Sequence, residues 1–168
     1  MDCGAEGREV DSSNNILEQE IQGQGIFVST FVHALDPKRR LTIPSSWRAQ
    51  VGEPKSLYVL PHVHDPCLSM VPAAVMIERI KRIKQHSMAD RKARQFARVL
   101  GSQSDLVSWD AQGRIRIKDA LLDTVGLTER VMMVGAFDSI ELWNPDTFEQ
   151  VGGLDRGGLQ EAAEYVGL

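Results

Sequence analysis

Two short stretches of this sequence place an aspartate four residues before an arginine, and both could recognise an anion. Asp36 precedes Arg40 in the first stretch, and Asp110 precedes Arg114 in the second. An aspartate at the start of a turn accepts hydrogen bonds from backbone N–H groups two or three residues further on, which fixes a tight loop. The arginine can then present five N–H donors in a planar fork, a geometry suited to phosphate or to the O6 and N7 atoms of guanine. The pattern therefore predicts two rigid loops that present cations.

These two stretches belong to an internal repeat with an offset of 74 residues. Residues 36–44 align with residues 110–118, and Asp, Arg, an aliphatic residue and Ile coincide at equivalent positions. The register continues without a gap to the apolar runs at residues 57–60 and 131–134. A repeat of this kind predicts two copies of one supersecondary unit.

Each copy has the sequence pattern of strand, turn, strand, helix and strand. An extended apolar segment leads into the Asp-initiated turn, at residues 26–35 in the first copy and 105–109 in the second. A strand of alternating apolar and polar residues follows. In the first copy Pro44 suits the first position of a short helix that Gly52 can end, and Gly126 can end the equivalent helix of the second copy. So small a sheet cannot bury both of its faces alone, so we expect the two copies to pack on each other about a pseudo-twofold axis.

The segment between the copies is helical in character. Apolar residues recur at helical spacing over residues 73–101, and we expect two helices with a break near residues 86–89. Their polar face carries eight basic residues against two acidic ones, Glu78 and Asp90. The basic residues are Arg79, Lys81, Arg82, Lys84, Arg91, Lys92, Arg94 and Arg98. A solvated charged face is the ordinary interpretation of such a surface.

The net charge of −4 conceals a division along the chain. Residues 1–24 contain six acids and one base with few aromatic or β-branched residues, and we expect a disordered acidic extension. Residues 151–168 have a net charge of −2 and open with glycines, which predicts a flexible tail. Residues 25–150 hold 17 bases and 14 acids, so the part that folds has a mild basic bias, which permits anion binding.

Length and composition exclude several classes of protein. The 168 residues, 42% of them hydrophobic, suffice for one globular unit that buries roughly 70% of its unfolded surface. Cys3 and Cys67 are the only cysteines, which excludes a disulfide scaffold and fits a cytoplasmic location. The sequence has no run of 18 apolar residues, and Asp2 and Glu6 lie where a signal peptide would be basic, so we expect neither a membrane span nor secretion.

Patterns for catalysis and metal binding are weak. Phosphate-cradling glycine motifs, a nucleophile elbow and a His-Glu-x-x-His motif are absent, so we expect no enzyme, no cofactor and no small-molecule substrate. The strongest alternative is a metal-dependent enzyme or sensor centred on His62, His64 and Cys67, which are zinc-binding residue types. The sequence has no second cluster of cysteine and histidine to complete such a site. A surface loop is therefore the favoured interpretation, and no metal ligand is predicted.

The sequence around both loops resembles the MraZ family of bacterial DNA-binding regulators. The resemblance covers residues 26–150, and it is carried by the runs at residues 27–29 and 33–44 and by the second loop with Leu142-Trp143 after it. It implies an α+β, mainly β fold. In that fold, two AbrB-like (SpoVT-AbrB) swapped-hairpin repeats pack as a pseudo-twofold barrel with interposed helices.

The expected domain organisation follows from the repeat, the charge pattern and this resemblance. The acidic extension occupies residues 1–24, the first AbrB-like repeat residues 25–72, and the linking helices residues 73–101. The second AbrB-like repeat occupies residues 102–150, and the C-terminal tail residues 151–168.

The resemblance also implies a function. Members of the family look like ring-shaped homo-oligomers that regulate the cell-division and cell-wall gene cluster by binding repeated promoter elements, in the cytoplasm and associated with the nucleoid. Double-stranded promoter DNA is then the partner, and the two Asp-x-x-x-Arg loops are the contact. The alternative on a related scaffold is an antitoxin-like protein that binds another protein.

The positions that match the family divide into DNA-contacting and loop-shaping residues. The candidates for DNA contact are Lys38, Arg39, Arg40, Arg114 and Arg116, and those for shaping the loops are Asp36, Asp110 and Gly113. Arg39 stands where the family has a glycine, which Gly113 retains. A non-glycine residue with positive φ is uncommon, so we expect the first turn either to change type or to hold Arg39 under strain as a phosphate contact.

Overall fold

The computed structural model describes residues 25–87, 90–151 and 155–167, which form eight strands and six helices. The acidic extension predicted for residues 1–24 lies outside this description. The strands are β1 (Thr30–Ala34), β2 (Arg40–Thr42), β3 (Leu57–Pro61), β4 (Leu68–Pro72), β5 (Asp105–Val107), β6 (Arg114–Arg116), β7 (Arg130–Gly135) and β8 (Ile140–Trp143). The helices are α1 (Ser45–Gln50), α2 (Ala73–Ser87), α3 (Arg91–Ser102), α4 (Asp119–Thr124), α5 (Pro145–Gln150) and α6 (Arg156–Val166).

Alternation of apolar and polar residues builds the strand that follows each loop. Leu41 and Ile43 in the first copy, and Ile115 and Ile117 in the second, are almost completely buried, and the residues between them are not. Burial of one such side chain stabilises the fold by about 1.5–3 kcal/mol. All four belong to the main hydrophobic core, so both loops are attached directly to it.

A short helix follows each of these strands, as the repeat predicts. Pro44 is the N-cap of α1, so it lies one residue before the first helical position that the sequence indicated, and Lys118 is the equivalent N-cap of α4. Gly52 and Gly126 follow the two helices with φ of 72° and 66°. Glycine adopts this left-handed conformation without a steric penalty, so both helix ends are confirmed.

The strands form two sheets in which all neighbouring strands are antiparallel. One sheet has six strands in the order β1-β7-β8-β4-β3-β5, and the other pairs β2 with β6. The fold is therefore α+β with a mostly antiparallel sheet. Strands β4 and β8, which complete two hairpins with β3 and β7, were not part of the predicted repeat unit.

The two copies of the repeat complete each other's sheets. The first strand of each copy pairs with the third strand of the other copy, which gives the pairs β1 with β7 and β5 with β3. In the pair β2 with β6, Leu41 lies opposite Ile115, and in the pair β4 with β8, Leu68 lies opposite Leu142. Each of these partners is separated by the 74-residue offset of the repeat. Most of the sheet therefore consists of pairings between the copies.

Helices α2 and α3, here called the helix pair, pack on each other, and α2 also packs against β3 and β4. Helix α2 ends at Ser87 and α3 begins at Arg91, which confirms two helices with a break near the predicted position; residues 88 and 89 lie outside the described residues. Asp90 caps α3 by accepting a hydrogen bond from the backbone N–H of Lys92 at 2.8 Å. None of the described helices is long and apolar enough to cross a membrane.

The C-terminal segment contains a helix, α6, where the sequence predicted a flexible tail. Asp155 caps α6, because its carboxylate accepts hydrogen bonds from the backbone N–H groups of Gly157 at 3.0 Å and Gly158 at 3.2 Å. Tyr165 near its end is 92% exposed. Local capping rather than burial thus supports this helix.

Candidate nucleic-acid interface

Asp36 fixes the first loop through three hydrogen bonds. Its Oδ1 accepts from the backbone N–H groups of Lys38 at 2.9 Å and Arg40 at 2.8 Å, and its Oδ2 accepts from Nε of Arg40 at 2.7 Å. The backbone closes the same loop, because N–H of Asp36 donates to the carbonyl of Arg40 at 3.0 Å. The carboxylate therefore shapes the loop and holds the arginine side chain at the same time.

Asp110 repeats this arrangement in the second loop. Its Oδ1 accepts from the backbone N–H groups of Gln112 and Arg114, both at 3.0 Å, and its Oδ2 accepts from Nε of Arg114 at 2.9 Å. Nη2 of Arg114 adds an ion pair with Asp110 at 2.7 Å and a hydrogen bond to Oε1 of Gln112 at 3.0 Å. The aspartates bond to N–H groups two and four residues on, rather than two or three as the sequence indicated.

Both turns keep the same backbone conformation despite their different residues. Arg39 has a φ of 56° and Gly113 a φ of 78°. In each turn this residue donates its backbone N–H to the carbonyl of the aspartate, at 2.7 Å in the first loop and 2.9 Å in the second. The first turn has therefore not changed type, and Arg39 occupies the left-handed region at a cost that glycine does not incur.

The two loops lie side by side on the pair β2 and β6. We call residues 36–42 and 110–116 together the loop ribbon. Arg40 lies opposite Arg116, and Arg114 lies opposite Thr42, so the two loop arginines stand about 7 Å apart along the strands. Nη1 of Arg40 comes within 3.7 Å of Oδ2 of Asp110 in the other loop. The sequence repeat has thus produced one composite surface rather than two separate sites.

The electrostatics of the loop ribbon keep its aspartates ionised. The hydrogen bond from the Arg114 side chain lowers the pKa of Asp110 from 3.8 to about 2, and backbone N–H donation from Arg114 adds to this. Backbone N–H donation from Arg40 lowers the pKa of Asp36 in the same direction, and the Arg40 side chain supports it. Both carboxylates are therefore charged at neutral pH, and each arginine has a permanent ionic partner.

Two of the predicted DNA contacts turn toward α4 instead of the loop tip. Nη1 of Arg39 pairs with Asp119 and its Nη2 with Asp123, both at 2.7 Å, and the second group also donates to the carbonyl of Leu127 at 3.2 Å. Arg116 pairs with Asp119 at 2.9 Å and donates to the carbonyl of Ile117. These arginines join the loop ribbon to the neighbouring helix.

In the second loop the space beside Gly113, which is equivalent to Arg39, is occupied by the side chain of Arg48. A β-carbon at Gly113 would lie 2.6 Å from Cζ and 2.8 Å from Nε of Arg48, which belongs to α1. Nε of Arg48 donates to the carbonyl of Ile43 at 3.2 Å, and the backbone N–H of Ile43 donates to the carbonyl of Gly113 at 2.9 Å. No local pattern in the sequence singles out Arg48, Asp119 or Asp123, because their contacts with Gly113 and Arg39 join segments that are distant in the sequence.

The tips of the loops are open to solvent. Pro37 and Lys38 are exposed in the first loop, and Ala111 and Gln112 in the second. Among the residues that the structure describes, the ammonium group of Lys38 has no ion-pair partner. The loop ribbon therefore presents one free lysine and two arginines that their own aspartates hold in place.

The structure does not assemble the alternative metal site. His62 Nδ1 lies 3.0 Å from the backbone nitrogen of Asp65 and 3.1 Å from its carboxylate, so this ring nitrogen is used within the β3–β4 connection. Cys67 is 1% exposed, and burial raises the pKa of its thiol to about 12. Over residues 25–87, 90–151 and 155–167, no three His, Cys, Asp or Glu side chains come together as metal ligands would.

Fold and site together define a two-repeat α+β protein whose copies jointly build a ribbon with two exposed Asp-x-x-x-Arg loops. A family described as "MraZ protein, putative antitoxin-like" matches residues 102–154. The chain is 35% identical over 123 residues to "Transcriptional regulator MraZ" of Corynebacterium jeikeium, covering 73% of this chain and 84% of that protein. It is 34% identical to the protein of the same name from Nocardioides sp., covering 71% and 81%. It is 32% identical to the protein of the same name from Caulobacter vibrioides, covering 84% of this chain and 98% of that protein. The chain belongs to the MraZ family.

Proposed function

We propose that this protein is a sequence-specific, DNA-binding transcriptional regulator that contacts double-stranded promoter DNA through the loop ribbon. The observation that carries this proposal is the adjacency of two equivalent loops with exposed tips on one antiparallel ribbon. A two-stranded β-ribbon fits the major groove, which is about 12 Å wide. The relatives named "Transcriptional regulator MraZ" support the same function.

The hydrogen bonds of the loops prepare the arginines for this task. Asp36 and Asp110 bind Nε of their arginines, which orders each side chain before DNA arrives and leaves Nη2 of Arg40 without a partner in the described part of the chain. An ordered side chain loses less conformational entropy on binding than a mobile one. In this proposal Arg40 and Arg114 contact base edges and Lys38 contacts phosphates, while Arg39 and Arg116 reach phosphates only by exchanging their ion pairs with Asp119 and Asp123.

Oligomerisation supplies the affinity that one chain lacks. One bidentate contact to a base gives about 1–3 kcal/mol of discrimination, so two loops alone bind weakly. We propose a ring-shaped homo-oligomer that engages repeated promoter elements at high effective concentration. The exposed apolar residues Val28, Val32 and Phe137, which are 53%, 42% and 71% exposed, favour contacts between copies near the free edge of β1.

The finer architecture and setting belong to the same proposal. The pairing of each copy's first strand with the other copy's third strand supports two AbrB-like swapped-hairpin repeats about a pseudo-twofold axis, at residues 25–72 and 102–150. The resemblance to the family extends the proposal to regulation of the cell-division and cell-wall gene cluster by a cytoplasmic, nucleoid-associated protein.

The test is footprinting on the DNA upstream of the protein's own gene. The full chain should protect repeated elements, and binding should weaken steeply with salt because phosphate contacts release counterions. The double variant Arg40→Ala with Arg114→Ala should abolish protection while light scattering reports an unchanged oligomer mass. The matched control is Lys55→Ala, which removes an exposed cation that pairs with Glu53 outside the loop ribbon. Protection that survives the double variant, or that is insensitive to salt, contradicts the proposal.

A further inference from the structure

The helix pair carries an excess of cations, and several of them have no ion-pair partner among the described residues. Residues 73–102 contain eight basic and two acidic residues, a net charge of +6. Arg79 pairs with Asp138, and Lys81 pairs with Glu78 at 2.6 Å. Among the described residues no ion pair is formed by four exposed cations of the helix pair, namely Arg82, Arg91, Lys92 and Arg98. These four side chains can therefore bind an anionic partner without breaking an ion pair of the described residues.

The loop ribbon differs strongly in this respect. Its five basic residues and the four carboxylates that face them, Asp36, Asp110, Asp119 and Asp123, nearly balance. The strongest uncompensated positive charge in the described chain is thus on the helix pair and not on the loops.

An apolar groove accompanies this charge. It encloses about 310 Å³ between the helix pair and β3, and its walls are mainly Met76, Ile80, Ile83, Leu100 and Tyr58. Lys84 stands at its edge. The helix pair thus offers an apolar groove and, on the polar face of the same two helices, basic residues, so a long partner segment that has both apolar and acidic side chains suits it.

Residues 1–24 have this composition. They contain six acids and one base, and Glu18 and Glu20 stand among the apolar residues Ile16, Leu17 and Ile21. Their net charge of −5 is close in size and opposite in sign to that of the helix pair.

The point where this segment joins the fold lies beside the helix pair. Gly25, the first described residue, is buried, and a β-carbon on it would lie 3.3 Å from Cγ of Pro72. Pro72 directly precedes α2, and Met76 of the groove follows about 6 Å along the helix axis. Since α2 is about 22 Å long and 24 residues can span up to about 80 Å, the whole surface is within reach.

We propose that residues 1–24 bind the helix pair, with acidic side chains on its basic surface and Ile16, Leu17 and Ile21 in the groove. Attachment at Gly25 makes this an intramolecular interaction, so weak surface ion pairs act together at high effective concentration. This inference does not depend on the DNA-binding function proposed above.

Zero-length carbodiimide cross-linking of the full chain, read by mass spectrometry, tests the contact. Carboxylates of residues 1–24 should join to lysines of the helix pair, namely Lys81, Lys84 and Lys92. The exposed lysines Lys38 and Lys55, which lie outside the helix pair, serve as internal controls and should give no such products. Products with the control lysines in equal yield, or none with the helix pair, overturn the proposal.

A variant with four fewer cations on the helix pair provides a second test of the contact. The combined change of Arg82, Arg91, Lys92 and Arg98 to Gln keeps helix propensity and should lower the yield at Lys81 and Lys84 by about tenfold. Changing Lys55 to Gln should leave that yield unchanged. If the four-residue variant loses retention on duplex DNA while its cross-links persist, the surface serves DNA phosphates and the proposal fails.

A native cysteine offers a readout that needs no lysine. Cys67 is buried with a thiol pKa of about 12, so a maleimide fluorophore should react at Cys3. Fluorescence anisotropy at Cys3 should fall when salt is raised, and the four-residue variant should start from the lower value. Anisotropy that is equal in the two proteins and indifferent to salt contradicts the contact.

Discussion

The two Asp-x-x-x-Arg loops have nearly the same hydrogen bonds but different residues at the position with positive φ. Arg39 reaches from the first loop to Asp119 and Asp123 beside α4. In the second loop Gly113 leaves room for Arg48, which approaches from α1. Each junction between a loop and a helix of the other copy thus contains one guanidinium group, supplied by the loop in one case and by the helix in the other.

This difference shows that the departure of Arg39 from the glycine of the repeat has a structural consequence. An arginine at position 39 retains the turn that a glycine would form, and its side chain joins the loop to acids that are 80 and 84 residues away. The second copy needs its glycine twice, once for φ and once for the space that Arg48 occupies. The loops are equivalent in their carboxylate and arginine pairs and unequal in how they are anchored.

The largest effect should follow from adding a side chain at the second loop. Gly113→Ala forces alanine into a φ of 78° and into the position of Arg48, and should lower the free energy of unfolding by about 1–3 kcal/mol. Urea denaturation measures this change. The matched control is Gly101→Ala in α3, where a β-carbon would meet no atom within 4 Å, and the variant should be at least as stable as the parent.

The contribution of Arg48 to that effect can be separated by a double-mutant cycle. In an Arg48→Ala background the obstacle to a β-carbon at Gly113 is gone, so the penalty of Gly113→Ala should shrink by about 1 kcal/mol. The remaining penalty reports the backbone alone. Equal penalties in both backgrounds would mean that the space at Gly113 is unimportant.

The first loop should show the same preference for glycine over alanine at its position of positive φ. Arg39→Ala and Arg39→Gly both remove the ion pairs with Asp119 and Asp123. Both must adopt a φ of 56° to keep the turn, and this conformation has a steric cost for alanine but not for glycine. Arg39→Gly should therefore be the more stable of the two by about 1 kcal/mol. Thermal unfolding of the pair measures the difference, and an alanine variant as stable as the glycine variant would show that the turn relaxes.

The smallest expected effect is the contribution of Asp110 to the pH dependence of stability. The pKa of Asp110 falls from 3.8 to about 2 in the folded protein, so its carboxylate stabilises the fold fully above pH 3.8 and loses this effect as pH falls through about 2. Stability of the parent should therefore decline over this interval more than that of Asp110→Asn. Urea midpoints at several pH values test it, and parallel curves for the two proteins contradict the ion pair.

Much of the fold could be predicted because the repeat carries local signals. Alternating apolar residues determined β2 and β6, and Gly52 and Gly126 determined the ends of α1 and α4. Strands β4 and β8 lay outside the predicted repeat unit, since their buried apolar runs in the sequence resemble core segments of either kind. The helix α6 was missed because its cap at Asp155 is a weak signal beside several glycines.

The candidate site was predicted in part. Asp36 and Asp110 were assigned to loop shaping, and their backbone hydrogen bonds are present in both loops. Their ion pairs with Arg40 and Arg114 also stabilise the turns, and the proposed DNA contact uses the same geometry. The partners of Arg39 could not be predicted, because an ion pair across 80 residues depends on how the two copies dock.

The sequence by itself determined the duplicated unit, the two tight loops and the order of the elements, because spacing, turn residues and apolar alternation act over a few neighbouring positions. Only the tertiary structure decided that the copies share their strands, that both loops meet on one ribbon, and that Arg39 and Arg48 fill equivalent junctions from opposite sides. The physical reason is that such contacts depend on packing between segments about 74 residues apart, for which no local pattern gives the geometry.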